Sequence, residues 1–206
     1  MNKNYATTQK GFSLIEILLV LAIIAALTVS AFIVYPRVQA GRIASEEMNT
    51  IIMAKTTIQS LFPTGNYNGI NLSLVRDAKI LPSHMVQQGP TGLTLRNRWS
   101  KDSGARNVNI GGANSSGLGS GGRPGYKRFF TIAYNDVPTD ICIRMAGMGV
   151  NHFDAVFINK GNNASIGYPV INPHSANENY RELNEELIAR ECQGTNGRAR
   201  ITFMSD

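Results

Sequence analysis

The chain has 206 residues, of which 43% are hydrophobic and 17% are charged, and its formal net charge is +6. A chain of this length holds one ordinary domain and one additional segment. The composition excludes a collagen, a long coiled coil and a wholly disordered chain. No nucleic-acid partner is expected, because the basic residues are scattered singly or in pairs such as Lys127-Arg128 and form no dense run.

A single long apolar block occupies residues 12–35, which excludes a membrane protein with several spans. No charged residue occurs from Ile17 to Val34, and a helix of that length crosses most of a ~30 Å hydrocarbon core. Lys3 and Lys10 precede the block without any acidic residue, which favours a cytoplasmic N-terminus. The block therefore predicts a membrane-spanning helix.

Two ordinary explanations of this block leave Glu16 unexplained. A secretory signal peptide has a shorter apolar region followed by small residues at its cleavage site, whereas the small residues here, Ala22–Ala26, lie in the middle of the block. A plain membrane anchor has no use for a carboxylate near the start of a bilayer helix, where a charge is costly and indicates a function.

The segment Lys10–Glu16, KGFSLIE, resembles the class III leader junction of type IV pilins. The resemblance implies that a prepilin peptidase cuts between Gly11 and Phe12, so that residues 1–11 are a leader and Phe12 becomes the N-methylated N-terminus. It also implies that Glu16 is the assembly carboxylate, and that residues 12–35 serve first as a transmembrane segment and then as filament core. A buried charge needs a partner, so Glu16 of one chain would neutralise the Phe12 amine of its neighbour and select one axial register.

The helix is predicted to continue to residue 62, beyond the apolar block. Pro36 and Gly41 predict a kink or local melting, and Pro63 predicts the end of the helix. Between residues 43 and 62, apolar residues recur at three- and four-residue steps. This pattern predicts an amphipathic second half of the helix that packs on a head domain, residues 63–206. These residues are Ile43, Met48, Ile51, Ile52, Ile58, Leu61 and Phe62.

The head is predicted to be an α+β domain with an antiparallel sheet and helices on one side. The patterns predict a helix at 72–78, a strand at 92–99, a Gly-rich loop at 104–125, a strand at 129–134, a turn at 136–140, a helix at 141–148, a strand at 154–159, a loop at 160–177, a helix at 178–191 and a strand at 198–204. On the helix at 178–191, Tyr180, Leu183, Leu187 and Ile188 share one face.

Cys142 and Cys192 are the two cysteines of the chain. A zinc site would need more closely spaced ligand pairs, and two buried free thiols do not suit an exported domain. A disulfide that bounds residues 142–192 is therefore predicted. Closing a loop of this length stabilises the fold by roughly 4 kcal/mol in the chain-entropy treatment.

The head also resembles type IVb pilins, including bundle-forming, toxin-coregulated and conjugative thin-pilus pilins. The likeness lies in Pro138-Thr139-Asp140-Ile141-Cys142, in the helix that ends at Glu191-Cys192, and in the last strand. It implies an α+β head closed by one disulfide. It also implies self-assembly into an extracellular filament with the aid of an assembly ATPase, a platform protein and a secretin, starting from the inner membrane of a Gram-negative bacterium with the head in the periplasm.

Three functions compete on the sequence alone: a major pilin, a minor pilin or secretion pseudopilin, and a membrane-anchored enzyme. No catalytic, metal or cofactor site is predicted, because His84, His152 and His174 have no second ligand at metal spacing, and Asp140 and Asp154 form no acid–base pair. Gly117, Gly119 and Gly122 match a nucleotide-binding pattern, but no strand leads into them and no helix follows. Pseudopilins commonly lack such a disulfide, so the favoured function is a major pilin, the structural subunit of an extracellular filament for adhesion, aggregation or conjugation.

Overall fold

The computed structural model describes residues 13–89, 92–99, 108–113, 127–161, 167–173 and 180–206. The chain forms two compact units, Met1–Gln39 and Ala40–Asp206, and the boundary between them lies within the first helix. Helix α1 covers Leu14–Leu61. The remaining helices are α2 (Leu72–Asp77), a 3-10 turn (Ser83–Met85), α3 (Thr139–Gly149) and α4 (Glu185–Cys192).

Helix α1 keeps its helical backbone through Pro36 and Gly41, so the predicted local melting is not seen. It ends at Leu61, one residue before the predicted end, where Phe62 and Pro63-Thr64-Gly65 follow. Gly65 has φ of 67°, a backbone conformation that glycine adopts without a steric penalty. A proline and a left-handed glycine together stop the helix here.

The second half of α1 supplies one wall of the hydrophobic core of the second unit. Five side chains at three- and four-residue spacing on this helix are fully buried: Ala44, Met48, Ile51, Ala54 and Ile58. The predicted amphipathic stripe is therefore present, although Leu61, which was assigned to it, is 43% exposed. Burial of this stripe holds the helix against the sheet and the smaller helices.

A five-stranded antiparallel sheet has the order β3-β4-β7-β5-β6. Its strands are β3 (Val108–Ala113), β4 (Phe129–Pro138), β5 (Ala155–Asn159), β6 (Tyr168–Ile171) and β7 (Arg198–Ser205). A separate antiparallel hairpin joins β1 (Val86–Gly89) and β2 (Gly92–Leu95), with Val86 opposite Leu95. Strand β7, the last in the chain, lies in the middle of the larger sheet between β4 and β5.

The two faces of the larger sheet bury different sets of side chains, as the period of two along a strand requires. One face, with Ile132, Val156 and Phe203, joins the main core, to which all four helices contribute. The opposite face has a smaller cluster of Phe129, Ala155, Phe157 and Met204, drawn from strands alone. Among the described residues, the helices thus pack on one face, and the α+β prediction is confirmed.

The predicted loop at 104–125 is wrong in part, because residues 108–113 form edge strand β3. Val108 and Ile110 alternate into the core, and Gly111 and Gly112 pair with Thr131 and Phe130. A Cβ at Gly112 would lie 2.2 Å from the carbonyl oxygen of Tyr67, so glycine permits a close backbone approach here. Glycines that predict a loop are thus part of a strand here, where one of them allows close packing.

Three further differences concern element limits. The segment 136–140 is predicted as a turn and the start of a helix. The turn is instead a bulge, with Asp136 at φ of 60°, after which β4 continues to Pro138, whereas α3 does begin within the segment, at Thr139. The predicted loop at 160–177 contains edge strand β6, which tolerates Pro169 because an edge strand needs no second partner. The strand predicted at 92–99 ends at Leu95.

The helix predicted at 178–191 is shorter than expected and begins at Glu185. The Asn184 side chain accepts a hydrogen bond from the Leu187 amide at 2.8 Å and so caps the helix. Tyr180 lies before the helix and Leu183 is 42% exposed, so neither belongs to the buried face formed by Leu187 and Ile188.

Candidate functional site

The first half of α1 presents an apolar surface all round within the first unit. Its best 18-residue window has a mean hydropathy of 3.0 and none of it is buried, so length and composition suit a membrane span. Exposed side chains include Leu14, Ile15, Leu19, Leu27 and Phe32, with exposed fractions between 59% and 76%. A helix that is apolar on every side is stable only in lipid or among other apolar helices.

Two hydroxyl groups within this apolar helix form hydrogen bonds to the backbone of the helix itself. The Thr28 hydroxyl donates to the Ile24 carbonyl oxygen at 2.7 Å, and the Ser30 hydroxyl donates to the Ala26 carbonyl oxygen at 3.0 Å. Such bonds to the preceding turn remove the cost of placing a hydroxyl in hydrocarbon. The Thr28 and Ser30 side chains are therefore compatible with lipid.

Glu16 lies in the first turn of α1 and is exposed. Its amide donates to the Ser13 carbonyl oxygen at 3.0 Å, so the residue is already part of the helix. In the described part of the chain no cation lies within ion-pair distance of its carboxylate. The positive end of the helix dipole and any added positive charge near the helix start would both stabilise it. Gly11 and Phe12 lie outside the described residues.

The cysteines form the predicted disulfide. Cys142 on α3 and Cys192 on α4 have Cα atoms 5.7 Å apart, and both side chains are fully buried. The bond joins the two short helices that pack on the sheet and closes a loop of 50 residues. In an oxidising compartment such a bond stabilises a small head against unfolding.

A second polar centre, which the sequence reasoning missed, links α1 to the head. Glu47 is only 4% exposed, and it accepts a hydrogen bond from the Tyr134 hydroxyl at 3.1 Å. Arg98 lies 3.8 Å from the Glu47 carboxylate and also pairs with Glu46, which in turn pairs with Arg42. An acid at a core-facing position, four residues before Ile51, was the available sequence signal.

The pKa values of the two adjacent carboxyl groups of this centre, Glu46 and Glu47, are shifted in opposite directions. Hydrogen bonds from Arg42 and then Arg98 hold the pKa of Glu46 below its usual value. Burial raises the pKa of Glu47, and the Tyr134 hydrogen bond and the Arg98 charge oppose that rise only in part. Burial, and next the Glu47 charge, raises the pKa of Tyr134, so its hydroxyl stays a donor.

The residues considered for catalysis or metal binding remain apart. No group of three or more metal-ligating side chains exists in the described ranges, and His84 and His152 lie in different parts of the second unit. Asp154 accepts hydrogen bonds from the Ser205 hydroxyl at 2.6 Å and from the Asp206 amide at 3.1 Å, which is a structural role. His174 and the glycine pattern at 117–122 lie outside the described residues.

An apolar, unpartnered helix with one acid in its first turn, continued into a disulfide-closed α+β head, is the architecture of the type IV pilins. Models of two families match the chain: the PilS N-terminal family over residues 39–206, and the prokaryotic N-terminal methylation motif over residues 7–32. The chain belongs to the PilS family, and it is a pilus subunit. None of the curated proteins compared with it matches.

Two solved structures resemble the chain. A type IVb pilin from Salmonella typhi is 18% identical with a TM-score of 0.50, over 77% of this chain and 97% of the other. The type IV pilin TcpA from Vibrio cholerae El Tor is 14% identical with a TM-score of 0.49, over 82% of this chain and 99% of the other. The first of these likenesses supports the type IVb pilin fold.

Family membership indicates how the chain is processed and where it is located. The methylation motif implies processing by a prepilin peptidase and polymerisation into a pilus. The apolar helix indicates anchoring in a membrane before the chain enters an extracellular pilus. Pilins are structural proteins, and the fold described here is of that structural kind.

Proposed function

We propose that this chain is the major subunit of a type IVb pilus and has no catalytic activity. The observation that carries the proposal is the exposed apolar half of α1 with Glu16 in its first turn. A surface of this kind is unstable in water and fits identical helices packed side by side. A fibre built in this way would serve adhesion, aggregation or conjugation.

Processing between Gly11 and Phe12 would remove the leader, residues 1–11, and create a new amine at the start of the helix. Phe12 would then be methylated, and residues 12–62 and 63–206 would be the mature helix and head. Before assembly the helix would cross the inner membrane of a Gram-negative bacterium with its head in the periplasm. The assembly ATPase, the platform protein and the secretin would act at that stage.

Glu16 would pair with the Phe12 amine of a neighbouring chain during docking. A carboxylate at the centre of a membrane helix costs about 2.5–3.5 kcal/mol on translocon-based scales, and the cost at Glu16, in the first turn, is smaller. Neutralisation of this carboxylate by one amine would favour one register of adjacent helices. The same residue is tolerable in the anchored monomer because it lies in the first turn, close to the membrane surface.

The test of the major-subunit assignment is intact-mass analysis of filaments sheared from cells. The dominant species should lack residues 1–11, carry one extra methyl group, and be two hydrogens lighter because of the Cys142–Cys192 bond. A processed, methylated chain that stays in the membrane fraction would instead be a minor pilin or a pseudopilin. An intact leader in cells with an active prepilin peptidase would contradict the whole processing scheme.

The role of Glu16 has its own test. Glu16→Gln removes the charge of the side chain but keeps its shape. The yield of filaments should therefore fall at least tenfold, while the processed chain still accumulates in the membrane. Glu186→Gln is the matched control, because it removes one exposed carboxylate from α4 and should leave filament yield unchanged. Equal filament yield from both variants would refute the pairing role.

A further inference from the structure

The β1–β2 hairpin separates two cavities of different chemistry. Val86 and Gln88 of β1, with Leu93 of β2, face a mainly apolar cavity of about 530 Å³. Met85 and Gln87, which alternate with them, face a polar cavity of about 280 Å³. Because side chains alternate along a strand, the hairpin has one apolar face and one polar face.

The floor of the polar cavity is built from buried polar groups. Glu47 of α1 is 4% exposed and Asn97 is 6% exposed, and both line it. The Asn97 amide nitrogen donates to the Asn135 carbonyl oxygen at 2.7 Å, and Glu47 is held by the Tyr134 hydroxyl. These bonds fix the two side chains in place, which gives the cavity a preformed wall.

The basic side chains of the polar cavity are two arginines and one histidine. Arg96 and Arg98 both line it, together with His84. Arg98 is shared between Glu46 and Glu47, whereas no hydrogen-bond or ion-pair partner holds the Arg96 guanidinium among the described residues. An arginine without a carboxylate partner beside a preformed cavity suits an oxyanion, because its planar fork matches phosphate geometry.

The rest of the lining suits hydroxyl groups. Gln87 and Asn97 offer amide donors and acceptors, and Glu47 offers a carboxyl acceptor. The volume of about 280 Å³ lies just below the roughly 300–1,000 Å³ of drug-sized pockets, so it suits a small ligand such as one sugar ring with a phosphate group. We propose that this cavity binds a sugar monophosphate, with the phosphate on Arg96, Arg98 and His84 and the hydroxyl groups on Gln87, Asn97 and Glu47.

The test is isothermal titration of the full mature chain in non-ionic detergent micelles at constant ionic strength, with glucose 6-phosphate, glucose and inorganic phosphate as probes. We expect glucose 6-phosphate to bind with a dissociation constant of millimolar or tighter, and each of the other two at least tenfold more weakly. Arg96→Gln should weaken binding at least tenfold. Lys79→Gln removes the same charge beside the other cavity and should change binding less than twofold.

Gln87→Ala guards against a folding artefact, because Gln87 is exposed and its truncation should weaken binding about threefold without lowering the melting temperature. The proposal is overturned if the wild-type chain shows no binding at 10 mM glucose 6-phosphate. It is also overturned if Lys79→Gln weakens binding as much as Arg96→Gln, since attraction would then be general charge. Equal binding of glucose or of inorganic phosphate would overturn it too.

Discussion

Two glycines near the end of α3 should respond to alanine in opposite directions. A Cβ at Gly149 would lie 2.4 Å from the Phe203 ring carbon Cε1 and 3.3 Å from the Met48 methyl carbon Cε. Phe203 is fully buried and its ring centre lies 5.1 Å from that of Phe153, so it has little room to move away. A Cβ at Gly147, two residues earlier, would have no heavy atom within 4 Å.

The magnitudes follow from these contacts. Overpacking a core costs about 1–3 kcal/mol, and replacing glycine by alanine in a helix gives back about 0.5–1 kcal/mol. Gly149→Ala should therefore lower the free energy of unfolding by about 1–2 kcal/mol, and Gly147→Ala should raise it by about 0.5–1 kcal/mol. For a domain of 150–250 residues, a gap of about 1.5–3 kcal/mol between the two variants is a melting-temperature gap of roughly 3–12 °C.

The assay is thermal unfolding of the full chain in detergent, followed by the fluorescence of its one tryptophan. Trp99 reports on the second unit, because its ring centre lies 5.9 Å from that of the buried Tyr134. Far-ultraviolet circular dichroism at low temperature verifies that each variant is folded. If the two variants shift the melting temperature by the same amount and in the same direction, the packing argument at α3, α1 and β7 is refuted.

Three more predictions concern bonds within the second unit. Replacing both Cys142 and Cys192 by serine should lower stability by about 4 kcal/mol, and equal denaturant midpoints of the variant and the oxidised wild type would contradict this. Glu47→Gln should become more stable relative to wild type as the pH rises above 4.5. The pKa of Glu47 is raised in the folded protein, so the stabilisation that its protonated form gives is complete below the unfolded-state pKa and is lost as the pH rises through the folded-state pKa. A stability difference that stays constant from pH 4 to pH 8 would refute that coupling. Asn184→Ala should cost about 1 kcal/mol through the lost cap on Leu187, measured by urea titration, whereas Asn184→Asp should cost far less.

Local sequence signals were sufficient wherever one segment determines its own structure. The end of helix α1 and both limits of strand β7 could be predicted closely, because Pro63-Thr64-Gly65 marks the end of α1 and apolar residues alternate along β7. The N-terminal methylation motif, matched over residues 7–32, could be recognised in the same way because it is contiguous. Cleavage after Gly11 and the assembly role of Glu16 stay predictions. Strands β3 and β6 were missed because glycine and proline, which usually mark loops, serve there as edge-strand residues.

Contacts between distant segments could not be read from the sequence. The Glu47 carboxyl meets Tyr134 and Arg98, which are 87 and about 51 residues further along the chain, so no local pattern announces the pairing. The polar cavity likewise combines α1 with the segments at 84–87 and 96–98. Helix α4 was predicted too long because Tyr180 and Leu183 matched a helical period, while the Asn184 cap, which sets the start, is a single residue.

The central position of β7 has a consequence for the order in which the head can form. Of the five strands of this sheet, β7 comes last in chain order, yet β4 and β5 do not pair with each other and are joined only through it. A chain interrupted after Gly197 would leave two half-sheets with two newly open strand edges, on β4 and β5, and open edges invite pairing with other molecules. The two halves of the sheet can thus join only when β7 is available, so the pairings that complete the sheet are between segments far apart in the chain.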